Sequence, residues 1–199
     1  MNLEILNYKI NIDDKYKFSS VVSALLFFIT HAYYFLGRYA NEDYMHSIFG
    51  RSNTLGSGRW LGEIYPNYLI PWVVGVICCI LLIITVNMII SIFEVENKVS
   101  IILISGLMVS FPTLAYGYGY LFMADIYSVS LCSAVAAVWF TSKFKKYGFI
   151  SGGFFLMISL AEYQSYIGIA MATSLFKLIF DLIKQENEDR DFVKYTIKF

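Results

Sequence analysis

The run from residue 69 to residue 93 carries no charged side chain and is rich in Ile, Val and Leu. An α-helix rises about 1.5 Å per residue, and a bilayer core of about 30 Å takes about 20 apolar residues to cross. This run is long enough for a full crossing, which commits the chain to a membrane and its backbone polar groups to internal hydrogen bonds. The rest of the sequence agrees. Charged residues make up 15% of the 199 positions and hydrophobic ones 58%, where soluble domains carry about 25% charged residues. With 16 Tyr and 17 Phe, the chain has the rings that interfacial belts use.

Other spans fall either side of that run. Residues 18–36 form a first apolar segment after Lys9, Lys15 and Lys17. It exceeds a signal core of about 7–15 residues, and no small-x-small cleavage site follows, so it reads as an uncleaved helix. Residues 37–68 are a long polar loop. Residues 69–93 are helix two, with Pro71 near its start, where proline is tolerated. A short charged turn at 94–98 precedes helix three over 99–116, broken near its end by Pro112. An aromatic and glycine-rich connector at 117–124 leads to helix four, about 125–140, and a basic loop at 141–148. Residues 149–183 are too long for one crossing. The polar break Glu162-Tyr163-Gln164-Ser165 divides them into a short helix five, partly embedded or locally unwound, and a helix six over 166–183. The expectation is an all-α polytopic bundle of about six transmembrane helices. Its divisions are an N-terminal cytoplasmic or interfacial segment at 1–17, the bundle at 18–183 and a charged tail at 184–199. The abrupt end of that tail reads as truncation.

Orientation follows from the lysines. With the N-terminus in the cytoplasm, all but three of the 15 basic residues lie inside, as the positive-inside rule requires. The exceptions are Arg38, Arg51 and Arg59, all in the polar loop. The tail then also lies in the cytoplasm. The outer side collects Glu42, Asp43, Glu63, Asp125 and Glu162 from three separate connections, which a six-helix bundle would bring to one face.

These outer residues are where chemistry is expected. Glu42 and Asp43 are adjacent and about 100° apart if helical, so one suits a base and the other a partner, a metal ligand or a cap. Asn41 or Asp43 as a helix cap is the plainer reading. Arg38, Arg51 and Arg59 oppose the charge bias. A guanidinium binds phosphate in a planar, bidentate way, although an ion pair with the nearby carboxylates or ordinary headgroups would also satisfy it. Gly58-Arg59-Trp60 offers backbone freedom, charge and a flat ring, or simply an interface anchor at Trp60. His46 lies at i, i+4 from Glu42, with no third ligand to mark zinc. Asp125 either steadies a ligand or caps helix four. Glu162, Tyr163 and Gln164 form a polar break that is costly at membrane depth unless it lines a cavity. The plainer reading is a hairpin turn.

The remaining polar residues suggest less. Cys78, Cys79 and Cys132 sit in apolar runs without metal-ligand spacing, and free cysteines there act as small hydrophobes. His31 falls inside helix one and reads as a satisfied intramembrane polar group. The net charge of zero offers no basic excess for nucleic acid. No internal repeat stands out.

The first outer loop with Glu42-Asp43, the following Gly58-Arg59-Trp60, and Tyr163-Gln164-Ser165 between apolar segments together resemble the phage and bacterial O-antigen glucosyltransferase family of the GtrII type. That family is similar in architecture to the GT-C membrane glycosyltransferases. The resemblance covers most of the chain and rests on the order and placement of short motifs. It implies transfer of glucose from undecaprenyl-phosphate-glucose to lipopolysaccharide O-antigen, on the periplasmic side of the bacterial inner membrane. It further implies Asp43 as base, with Glu42 beside it. Arg51 and Arg59 would face the lipid phosphate, and Tyr44, Trp60 and Tyr163 the sugar. His46, Asp125, Glu162 and Gln164 would complete the substrate site. No cofactor is implied with certainty, and a divalent cation stays open. Family members are longer, which implies that this chain holds the N-terminal portion. Two rivals remain at this level: a transporter or flippase for the lipid-linked sugar, and an inactive fragment of the transferase.

Overall fold

Asp13 sets the start of the first long helix. Its backbone carbonyl accepts from the Tyr16 N–H at 3.0 Å, and acidic residues at a helix start complement the dipole. Helix α1 (Asp14–Leu36) thus begins one turn before the apolar run, with Asp14 and Lys17 paired at 2.8 Å. The computed structural model describes residues 2–5, 8–11, 13–36, 59–61, 70–144 and 146–184. Ahead of α1, strands β1 (Asn2–Ile5) and β2 (Tyr8–Asn11) pair antiparallel, with Asn2 opposite Asn11 and Ile5 opposite Tyr8. This hairpin was not expected from the polar, mixed-charge segment. The bundle that follows is all-helical, as the hydropathy pattern requires.

Along α1 the buried residues are Ser19, Ser23, Phe27, His31 and Phe35. Each lies four positions after the last, which is the spacing of one helix face. The opposite face, with Val21, Leu25, Phe28 and Ile29, is exposed and apolar, as a lipid-facing surface should be.

Helix α2 (Pro71–Ile92) packs on α1 closely enough that a Cβ on Gly75 would lie 2.6 Å from Phe35 Cγ. The Asn87 amide donates to Ser20 Oγ at 3.0 Å across the same interface. After α2 the chain turns through Glu94, whose φ of 53° is the left-handed conformation of a helix-ending motif. The Val95 N–H reaches back to the Ile90 carbonyl at 3.0 Å, closing an orphan acceptor.

Helix α3 (Lys98–Val109) starts at Asn97, whose side chain accepts from the Val99 N–H. It stops at the proline. Pro112 has no N–H and forces Phe111 out of the helical region, to φ −62° and ψ 127°. Helix α4 (Pro112–Tyr118) continues at a 44° bend. The break orphans carbonyls at the end of α3. His31 Nε2–H donates to that of Val109 at 2.7 Å, tying α1 to the break and fixing the histidine tautomer.

A 3₁₀ turn, Leu121–Met123, leads into α5 (Ala124–Lys143), the most buried helix, which packs against α2, α6 and α7. Helix α6 (Gly148–Glu162) lies very close to α5. A Cβ on Gly148 would sit 2.6 Å from the Phe140 carbonyl, and one on Gly152 would sit 2.8 Å from that of Ala137. Two glycines one turn apart let helix backbones approach this way in membranes. The 3₁₀ turn Gln164–Tyr166 joins α6 to α7 (Ile167–Lys184).

Four of these helices are long and apolar enough to cross a membrane, and five spans result when α3 and α4 count as one bent crossing. Helix α6, with 15 residues, covers about 22 Å and is the short helix expected there. At one end of the bundle lie the start of α1, the end of α2, the start of α3 and the end of α7. Lys184 pairs with Glu94 there, and Lys98 sits over the Phe18 ring. The opposite end holds the close of α6, the start of α5 and residues 59–61.

Candidate functional site

The site is built on the polar break after α6. Tyr163 is extended, at φ −153° and ψ 104°, so the helix cannot continue. Its N–H still caps α6 by donating to the Ser159 carbonyl at 2.9 Å. The Ser130 hydroxyl of α5 lies 2.9 Å from the Ser159 carbonyl and 3.1 Å from the Tyr163 carbonyl. One proton, shared between two acceptors, locks the break onto the central helix. The segment is a turn between two helices whose backbone is held from the side by a buried hydroxyl.

That lock aims the Tyr163 ring. Tyr127 meets it edge-on at 4.8 Å between centroids, and Tyr166 flanks it at 5.6 Å. The Arg59 guanidinium stacks 4.7 Å from the ring centroid, a geometry in which the ring quadrupole attracts the cation. Arg59 is partly exposed and Trp60 is 46% exposed, so this cation sits at the surface of the bundle rather than in its core.

Two carboxylates lie at this same end, sunk into the bundle. Asp125, 3% exposed, sits in the first turn of α5, where its Oδ1 accepts from the Ile126 N–H at 3.0 Å. A negative charge suits a helix N-terminus. The N-cap itself is Met123, so Asp125 is not the cap that the sequence suggested as its plainer role. Glu162 is fully buried as the last residue of α6, where the helix dipole opposes its charge. Neither side chain is isolated. A buried carboxylate in a membrane segment is costly and marks a functional position by default.

Between Trp60 and Gln164 a groove of 340 Å³ opens along α6. Gly153, Leu156, Met157 and Leu160 line it. Gly153 and Met157 are exposed, so the groove opens sideways on the outer surface of the bundle. Beneath the site, Tyr118 packs edge-on against His31, Phe27 and Phe35, and its hydroxyl meets Ser128 at 3.1 Å.

Of the residues singled out from sequence, Arg59, Trp60, Tyr163 and Gln164 come together here. Asp125 and Glu162 share the same end at greater depth. Glu42, Asp43, Tyr44, His46 and Arg51 lie outside the described residues. Among the described residues no three His, Cys, Asp or Glu side chains gather as a metal would require. Sequence reasoning missed Ser130, Ser159 and Tyr127. Small polar residues in apolar helices, which often join neighbouring helices, were the signal for the two serines.

The sequence model of the family described as Glucosyl transferase GtrII matches residues 32–199. The match begins near the end of α1 and includes every later element of the site. No curated protein and no solved structure matches the chain.

Proposed function

Because the chain belongs to the GtrII glucosyl transferase family, we propose that it moves glucose from undecaprenyl-phosphate-glucose to an O-antigen sugar of lipopolysaccharide. The reaction is assigned to the periplasmic face of the bacterial inner membrane, with both the N-terminus and the tail at 184–199 in the cytoplasm. The observation that carries this reading is the stacking of Arg59 on Tyr163 beside two buried carboxylates, at the end of the bundle opposite the Lys98 and Lys184 end. A partly exposed cation at a membrane edge suits the phosphate of a lipid carrier.

The chemistry balances without an external reagent. The acceptor hydroxyl oxygen attacks the anomeric carbon, and the bond from that carbon to the phosphate oxygen breaks. Asp43, with Glu42 as neighbour, takes the hydroxyl proton. The polyprenyl phosphate leaves with the bonding electrons, and Arg59 and Arg51 stabilise the charge that builds on it. Phosphate is a weak base, so no proton donor is needed at the leaving group. Tyr163, Trp60 and Tyr44 offer apolar faces to the sugar rings, while Gln164 and His46 offer hydrogen bonds. Asp125 and Glu162 hold the local field beneath the acceptor.

The test uses membranes containing the chain, a donor labelled in glucose and O-antigen acceptor. Transfer of label into polysaccharide is expected. Asp43→Asn, inserted at normal levels, should abolish it, and full activity in that variant would remove Asp43 as the base. Movement of the lipid-linked sugar across the bilayer without covalent transfer would instead favour a flippase.

A further inference from the structure

The geometry points to the groove along α6 as the seat of the first two isoprenyl units of the carrier, with Gly153 as the residue that keeps its deep end open. This inference rests on the polyprenyl-phosphate donor proposed above and assigns its lipid tail to particular residues. The polar end of the groove is marked by Trp60 and Gln164, the sequence neighbours of the stacked pair Arg59 and Tyr163. A phosphate held by Arg59 would therefore deliver its chain directly into the groove. From that end the apolar lining runs down α6 to Gly153, a rise of about 12 Å from Ala161 at 1.5 Å per residue.

The volume fits the occupant. A cavity of 340 Å³ holds about eleven groups of roughly 30 Å³, the share of one water in the liquid, and a methylene is of similar size. Two five-carbon units fill that space. An ordinary phospholipid could also lay an acyl chain here, but the adjacent cation with its aromatic clamp favours a tail joined directly to phosphate.

Gly153 differs from its neighbour. A Cβ on Gly152 would meet Thr141 Oγ1 and the Ala137 backbone, whereas one on Gly153 meets nothing within 4 Å. The fold needs Gly152 but tolerates a side chain at 153. A residue there would fill the groove without disturbing the helix contact.

The experiment labels the chain, in nanodiscs, with geranyl phosphate carrying a diazirine on its second isoprenyl unit. The expected label falls on the α6 stretch 153–160, is displaced by undecaprenyl phosphate but not by excess phosphatidylglycerol, and drops at least about tenfold in Gly153→Leu. Gly106→Leu, at another open glycine on α3, should label like the parent. Should Gly153→Leu fail to elute as a folded species, Met157→Trp blocks the same groove and should give the same loss. Equal displacement by phosphatidylglycerol would identify a general lipid groove and overturn the inference. Label displaced by undecaprenyl phosphate but located on other helices would also overturn it, while leaving the donor class standing. Absence of any label displaced by undecaprenyl phosphate would remove the donor reading and the groove together.

Discussion

Arg59 stacks on the Tyr163 ring, and in the proposed reaction it also serves the phosphate of the donor. Removing a preorganised donor aimed at developing charge costs about 3–4 kcal/mol. Arg59→Ala should therefore lower kcat for glucose transfer about a hundredfold or more, measured as initial rates in membranes at saturating donor. The ring contribution is smaller, about 0.5–2 kcal/mol. Tyr163→Leu should lower kcat/KM several-fold and Tyr163→Phe much less, because the stacking face survives. Arg59→Ala and Tyr163→Leu combined should cost less than the sum of the two single losses, because the stacking is lost in either one. Additive losses would mean the two do not act as a unit. His31 works at the same scale but on the fold. Its Nε2–H is the partner of the Val109 carbonyl, while its Nδ1 has no hydrogen-bond partner among the described residues. His31→Phe keeps a ring but leaves that carbonyl unpaired, at about 1–3 kcal/mol. Its melting temperature in detergent should fall, and His31→Gln should recover part of the loss.

The elements are joined by small residues and by specific ends. Helices α5 and α6 touch through Gly148 and Gly152, where a Cβ meets backbone atoms at under 3 Å. Gly152→Ala should therefore destabilise by about 1–3 kcal/mol, in the range of overpacking, while Gly153→Ala leaves the melting temperature unchanged. The two glycines are adjacent in sequence, and only the direction each faces separates them. The end of α2 offers a pH-dependent case. Hydrogen bonding from Lys184 holds the Glu94 carboxyl below its ordinary value of 4.5. A carboxylate with a lowered pKa adds stability in full above its unfolded value and loses it as pH falls through the folded one. The melting temperatures of the parent and Lys184→Met should differ above pH 4.5 and converge as pH drops below it. Because the pair is about half exposed, salt should shrink the difference as well.

For the whole molecule, the alternation of helices separates two chemical ends. Lys98, Glu94 and Lys184 stand at one, and Arg59, Trp60 and Tyr163 at the other. Placing the lysine end in the cytoplasm satisfies the positive-inside rule. A cysteine at the exposed position Gln164 should then react with an impermeant thiol reagent added from outside. One at the exposed Glu96 should react only after the membrane is opened. Cys78 and Cys79 are buried and should contribute little background. Labelling of both positions from the same side would undo the orientation and the periplasmic assignment with it.

Hydropathy, proline and charge were enough to place the helices, because in a bilayer the backbone must close its own hydrogen bonds and apolar length decides what crosses. The break at Pro112, the short helix before Glu162 and the shared end of Arg59 and Tyr163 were all legible on those grounds. The pairing of Asn2–Ile5 with Tyr8–Asn11 was not: both strands alternate polar and apolar residues, but four residues each are too short for that pattern to mark a strand among mixed charges. Nor were the Ser130 lock, the stacking of Arg59 on Tyr163 and the groove beside Gly153. Each joins positions far apart in the chain, and nothing local in the sequence records which helix faces meet. The amino-acid order thus determined which segments enter the membrane and which groups stay at its edge. Tertiary packing alone decided which of those groups touch, because close approach of α5 and α6 depends on the faces their glycines and serines happen to share.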